Sequence, residues 1–265
     1  MKKHLLINNK KLFYNDEGSG ETIVLLHGYL ESLEIWNSFA LDLAKNYRVL
    51  CFDIPGHGQS EAISEDHTMK ILAETISKAL QKLEVKKCFM IGHSMGGYVT
   101  LMFHELYSEQ LNGFSLFHSH PFADTKETKN KRTREINLVK DGKKDLIAKT
   151  NIPNAFADTS LDKFKDDISY AIQIALDTPT DGIIANLKAM MNRPDLYESL
   201  ANTNLPFLFI VGEKDNYIDF NTIIPRVKLP KHSNLCILKN SGHMGFIEEK
   251  KKSLKCIEDF LKKAN

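Results

Sequence analysis

Apolar positions follow two rhythms along this chain. Residues 22–26 (TIVLL), 88–91 (CFMI) and 206–212 (PFLFIVG) are continuous apolar runs, the pattern of strands buried on both faces. Residues 47–52, 112–117 and 235–238 read as further strands. Between them the spacing turns helical. Ile35, Trp36, Phe39 and Leu43 share one face behind a capping Ser32, and helical periodicity returns over 68–83, 98–106 and 246–263, with a helix near Asp219. A hairpin opens the chain, 4–8 against 11–15, with Asn8-Asn9-Lys10 as its turn. This alternation predicts an α/β fold, a mostly parallel central sheet with helices on both faces. From 121 to 204 no strong strand signal occurs, while helix-period segments do, at 128–140, 162–176 and 180–191. That stretch is expected to be an inserted helical cap, leaving 1–120 and 205–265 as the core.

The run at 88–91 ends at Gly92, and an apolar helical segment follows Gly96. Between them lies Gly92-His93-Ser94-Met95-Gly96, the G-x-S-x-G spacing of a nucleophile elbow. A strand that turns at once into a helix strains its middle residue, and it brings strand and helix too close for side chains two positions either side. Ser94 is thereby expected at the tip of the turn, at a helix N-terminus whose dipole favours negative charge.

Composition narrows the class. At 265 residues the chain suits one large α/β domain with an insertion. Lys+Arg 35 against Asp+Glu 34 leaves a net charge of +1, which points to neither nucleic acid nor a membrane surface. The N-terminal apolar run Leu5-Leu6-Ile7 is too short for a signal peptide, and no stretch approaches a membrane span. Cys51, Cys88, Cys236 and Cys256 show no paired spacing, so reduced thiols in a cytoplasmic protein are expected.

A serine hydroxyl becomes nucleophilic only when a base takes its proton, and that base needs a carboxylate to orient it. Asp215, four residues past the strand ending at Val211, and His243, bracketed by Gly242 and Gly245 after the last strand, are the candidates at strand ends. Asp124, shortly after the strand ending at Phe117, is the alternative acid, and Asp219 reads as a helix cap. His27, His57 and His93, with Asp53 and Ser60, read as residues that hold loops. His118 and His120 sit two apart at a strand end and could face one side, but no third ligand stands at metal spacing, so lining a pocket suits them better than a metal site. Residues 126–149 carry nine basic and four acidic side chains, which could attract an anionic substrate but suit a solvated helix face better.

His27-Gly28, Asp53-x-Pro55-Gly56-His57-Gly58-x-Ser60, Gly92-His93-Ser94-Met95-Gly96-Gly97, Gly212-Glu213-x-Asp215 and Ser241-Gly242-His243 occur in this order. As a set they resemble the α/β-hydrolase superfamily, its small capped cytoplasmic enzymes in particular, over nearly the whole length outside the cap. The resemblance implies Ser94, Asp215 and His243 as a catalytic triad, and an oxyanion hole from the backbone N–H groups of Tyr29 and Met95. It implies a serine hydrolase acting on a small acyl substrate, with neither cofactor nor metal. A serine in place of an aspartate nucleophile argues against the haloalkane dehalogenase and epoxide hydrolase branches. Two alternatives stand beside it. One is a carbon–carbon bond hydrolase or a lyase similar to the menaquinone-pathway synthase, favoured if Arg132 or Arg134 points into the pocket. The other is a ligand-binding protein with an idle triad. A monomer and a homodimer fit the sequence equally.

Overall fold

In the computed structural model, which describes residues 2–264, the chain forms one eight-stranded sheet in the order β1-β2-β4-β3-β5-β6-β7-β8. The terminal residues of the core segments named above, 1 and 265, lie outside the described residues. β1 (Lys3–Ile7) and β2 (Lys10–Glu17) pair antiparallel, with Ile7 opposite Lys10. The turn is therefore Asn8-Asn9, one residue shorter than the sequence suggested. Both residues have positive φ, 50° and 63°, which asparagine tolerates and a two-residue hairpin requires. β2 also pairs antiparallel with β4 (Arg48–Phe52). From β4 onward β3 (Thr22–Leu26), β5 (Cys88–His93), β6 (Leu111–Phe117), β7 (Phe207–Gly212) and β8 (Ser233–Leu238) run parallel. Every residue of β3, β5 and β7 is buried, as their unbroken apolar runs predict.

After β3 the chain moves outward to β4 and then crosses back to β5. The direction of winding thus reverses between β3 and β5, and a crevice opens at their carboxyl ends. α1 (Asn37–Leu43), entered through a short 3-10 turn capped by Ser32 Oγ on Glu34 N–H (3.2 Å), packs with α11 (Lys250–Ala264). α2 (Met69–Lys82), capped by Thr68 Oγ1 on Ile71 N–H (3.1 Å), packs with α3 (Met95–Tyr107). Sheet strands lie between these two helix pairs.

Between β6 and β7 come α4 (Lys126–Lys140), α5 (Lys144–Asn154), α6 (Lys165–Asp177), α7 (Thr180–Met191) and the short α8 (Tyr197–Ala201). α5 gave no periodic signal because it buries only Ile147, Ala148 and Ile152 and carries Pro153 in its last turn. α9 (Phe220–Arg226) follows β7, with Asp219 at its N-cap position but making no capping bond to the helix backbone. The last helical segment divides into α10 (Gly245–Glu248) and α11, parted at Glu249 (φ −125°, ψ 47°), where Glu248 turns inward. Among the described residues no helix is long and apolar enough to cross a membrane.

One expectation from the cysteines fails. Cys51 and Cys88 are free and buried, but Cys236 on β8 and Cys256 on α11 form a disulfide. Their spacing of 20 residues carried no signal because the pairing comes from a helix folding back onto an edge strand. Closing a loop of that length stabilises a fold by about 3 kcal/mol. Dithiothreitol, or Cys256→Ser, is expected to lower the melting temperature by roughly 5–10 °C; an unchanged calorimetric melt would show that the bond contributes nothing.

Candidate active site

Ser94 joins β5 to α3 with φ 49° and ψ −113°, a conformation costing about 1–3 kcal/mol that the surrounding structure must hold. Its backbone N–H donates to the Phe117 carbonyl at 3.0 Å, and Ser119 Oγ donates to its carbonyl at 2.8 Å. The flanking glycines have the anticipated steric cause, with one addition. A Cβ on Gly92 would lie 2.3 Å from the Gly96 carbonyl oxygen, whereas one on Gly96 would lie 2.4 Å from the carbonyl oxygen of Leu26. The elbow is thus pressed against the end of β3 as well as against itself.

Asp215 lies in the turn after β7 with its carboxylate buried. Oδ1 accepts the N–H groups of Tyr217 (2.8 Å) and Ile218 (2.9 Å). Oδ2 faces His243 Nδ1 at 2.8 Å and His118 Nδ1 at 3.2 Å. An ionised carboxylate only accepts, so both imidazoles carry their Nδ1 proton. Burial alone would raise the Asp215 pKa; the two histidines outweigh it and hold the acid well below the usual carboxylate range. Burial lowers the pKa of His243, but the Asp215 carboxylate more than offsets this and leaves it above the ordinary histidine value. His118 is pushed down to about 4, chiefly by burial. It is therefore a neutral donor at neutral pH. Among the described residues, His118, Asp215 and His243 are the group whose donor atoms approach closely enough for a metal ion. Each Nδ1 already holds a proton directed at Asp215, so neither imidazole offers a lone pair there.

Ser94 and His243 line one cavity of about 630 Å3, together with Tyr29, Tyr98, Arg132, Glu135 and Arg226 among others. No direct hydrogen bond joins the two side chains, a looseness common before substrate arrives. Neither Tyr29 N–H nor Met95 N–H is taken by another described residue. The loops behind them are held as the sequence suggested. His27 Nε2 accepts Ile54 N–H (2.9 Å), His57 Nε2 accepts Leu30 N–H (3.3 Å), Asp53 accepts Leu33 N–H (2.7 Å) and Gln59 N–H (3.0 Å), and Ser60 Oγ accepts Phe13 N–H (2.8 Å). Trp36 is fully buried against Phe39 and Phe246.

Asp124, the alternative acid, is bound instead by Arg132 Nε (2.6 Å) and Arg193 Nη1 (2.5 Å). His120 does not accompany His118: its Nε2 lies 3.4 Å from Tyr98 Oη, and burial with the nearby Arg193 lowers it to about 3. Arg132 lines the cavity, whereas Arg134 is exposed outside it. Three contributors, Glu31, Glu135 and Glu248, escaped notice in the sequence, and a fourth, His118, was expected to line the pocket, which it does not. Glu31 bonds to His93 Nδ1 (3.0 Å) and Gly28 N–H (2.6 Å). His118 bonds to Asp215. Glu135 on α4 accepts Tyr29 Oη (3.1 Å) and Asn151 Nδ2 (3.0 Å). Glu248 accepts Gly242 N–H (2.8 Å) on one oxygen and Ala157 N–H (2.9 Å) and Ser160 Oγ (2.5 Å) on the other.

That last residue is part of a wider seam. His243 N–H donates to the Ala155 carbonyl (2.7 Å), Asn216 Nδ2 to those of Asn154 and Phe156 (both 3.3 Å), and Tyr217 Oη to that of Asn151 (2.7 Å). Residues 151–160 are stitched to both loops that bear the candidate acid and base.

A family model described as the alpha/beta hydrolase fold matches residues 21–133. The sheet order and the elbow agree with that match, and the chain has the α/β-hydrolase fold. It is 28% identical to 3-oxoadipate enol-lactonase 1 of Acinetobacter baylyi over 86% of this chain and 84% of that one. It is 26% identical to a putative 2-succinyl-6-hydroxy-2,4-cyclohexadiene-1-carboxylate synthase of Bacillus subtilis, over 93% of each. Its fold matches that of a thermophilic esterase from Thermogutta terrifontis with a TM-score of 0.94 at 24% identity, covering 100% of this chain and 99% of the other.

Proposed function

We propose that this protein is a serine hydrolase that cleaves small carboxylic esters or related acyl compounds. One observation carries the reading: the His243 ring, its Nδ1 proton committed to Asp215 at 2.8 Å, lines the same cavity as Ser94. Ser94 Oγ attacks the substrate carbonyl while His243 Nε2 takes its proton, and the Asp215 carboxylate stabilises the resulting imidazolium. The N–H groups of Tyr29 and Met95 hold the oxyanion. His243 returns the proton to the leaving alkoxide as the acyl-enzyme forms. Water then gives a proton to His243, attacks the acyl carbon and releases the acid with Ser94 regenerated. The enol-lactonase relative, whose name denotes an ester-type bond, supports this reaction class. A fluorophosphonate probe followed by peptide mass spectrometry tests the reading against an idle ligand-binding site. An adduct on Ser94 is expected; a protein that stays unlabelled under conditions that label a control esterase would defeat it.

A second reading, the carbon–carbon bond hydrolase or synthase-like lyase, is favoured by Arg132. Arg132 lines the cavity with its Nε on Asp124, and Arg226, stacked 4.2 Å over the Phe122 ring, lines it without a carboxylate partner among the described residues. Such a pocket suits an acyl group that carries a carboxylate. On this reading monomethyl succinate is turned over at least about tenfold better than dimethyl succinate, and Arg226→Gln narrows the ratio. Equal kcat/KM for the two esters would remove the carboxylate-binding pocket on which this reading rests.

A further inference from the structure

The groups assigned to the reaction sit on four separate loops, and one buried pair of side chains touches three of them, those of Tyr29, Ser94 and His243. Glu31 follows Tyr29 by two residues, and His93 immediately precedes Ser94. Their side chains are 5% and 0% exposed. Glu31 Oε2 accepts the Gly28 N–H at 2.6 Å and faces His93 Nδ1 at 3.0 Å. On the far side of the ring, His93 Nε2 lies 2.9 Å from the backbone carbonyl oxygen of His243. Both ring nitrogens therefore face acceptors. A neutral imidazole has one N–H and can serve only one of them. For both contacts to be hydrogen bonds the ring carries two protons, and the Glu31 carboxylate balances its charge.

The surroundings fit such a pair. Trp36, Phe117 and Phe246 close around the His93 ring at centroid distances of 6.2, 6.3 and 4.9 Å, so water is kept away and the Coulomb attraction is little screened. The loop wraps the pair tightly: a Cβ on Gly28 would lie 2.9 Å from His93 Nδ1 and 3.0 Å from either Glu31 carboxylate oxygen. A buried ion pair is a poor device for stability alone, because apolar side chains of the same volume do as well or better. What it adds is direction, since each of its bonds fixes one particular backbone group.

We propose that Glu31 and His93 are positioning residues for the hydrolytic reaction. They form a buried carboxylate–imidazolium link that sets the loop bearing the Tyr29 N–H, and the backbone of His243, at fixed distances from Ser94. This rests on the triad reading above. Glu31→Gln removes the charge that keeps the second proton on His93, and the ring then gives up its bond to the His243 carbonyl. The base and the oxyanion donor drift while the substrate pocket stays.

The test is a kinetic cycle on the full-length protein with p-nitrophenyl butyrate, using Glu31→Gln, His93→Gln, the double variant and Ser94→Ala. Each single variant is expected to lose about 30- to 100-fold in kcat with KM within about threefold of wild type, the size of a displaced donor or base. The double variant is expected to be no slower than the slower single one, because both changes cut the same link. A folded Glu31→Gln with kcat within about twofold of wild type, or penalties that multiply in the double variant, would overturn the proposal. If Glu31→Gln does not fold, the wild-type protein labelled with 15N-histidine decides near neutral pH. A His93 ring protonated on both nitrogens is expected, and a neutral ring overturns the link. An inactive Ser94→Ala beside an unimpaired Glu31→Gln overturns the positioning role alone. Turnover that survives Ser94→Ala overturns the hydrolase reading and this proposal with it.

Discussion

Ser94→Ala is expected to lower kcat on p-nitrophenyl butyrate by about 10⁶-fold, leaving only the residual catalysis that binding and an oxyanion hole supply. The loss is so large because no neighbouring hydroxyl stands in. Ser119 Oγ is already bound to the Ser94 carbonyl and is buried. Stability should barely move, within about 0.5 kcal/mol. Ser94 Oγ makes no hydrogen bond to another described residue, and alanine meets the same backbone strain at φ 49° that serine does. Kinetics alongside a calorimetric melt check both halves. A variant as fast as wild type would show that the esterase chemistry lies elsewhere, whatever its stability.

Asp215→Asn is expected to lower kcat by about 10⁴-fold and to move the acid limb of the pH–rate profile. The sign follows from the site. His243 acts as a base only when neutral, and its pKa is raised because the Asp215 carboxylate outweighs the effect of burial. Wild-type activity therefore rises with pH through a limb above the ordinary histidine range. The amide removes the charge that lifts it, so the limb moves to lower pH in the variant. An amide can also turn its NH2 toward Nδ1, which would put the imidazole in the wrong tautomer. His118 sharpens the test, because it shares Oδ2 and is left facing the same amide. A profile from pH 4 to pH 9 with an unmoved acid limb would count against Asp215 as the partner of the base.

Much of this was legible before any coordinates. β3, β5 and β7 are buried on both faces, and strands of that kind show as unbroken apolar runs. The elbow showed because two glycines are forced by backbone contact rather than by chance. What stayed hidden depends on distance along the chain or on a local break of periodicity. Glu31 is an unremarked loop acid until folding brings it beside His93, 62 residues away. His118 and His120 looked like a pair because residues two apart on an extended strand share a side. His118 has φ 48°, so the extended geometry stops there and the two rings diverge. Asp124 sat at an acceptable place for a triad acid, and only two arginines from the helical insertion, Arg132 and Arg193, show that it is spent elsewhere. The disulfide needed the fold of α11 onto β8, which no spacing rule encodes.

The seam at residues 151–160 bears on how this scaffold could be re-engineered. Chimaeras of such proteins are naturally drawn by exchanging everything between two strands as a cassette. Here that cut would strip the acceptors at Asn151, Ala155 and Phe156 from the Tyr217, His243 and Asn216 groups that use them, and would leave the Glu248 carboxylate without Ala157 and Ser160. A workable graft replaces α4 or α7 and retains 151–160 as part of the sheet-bearing framework, because that short segment is bonded to the loops that follow β7 and β8.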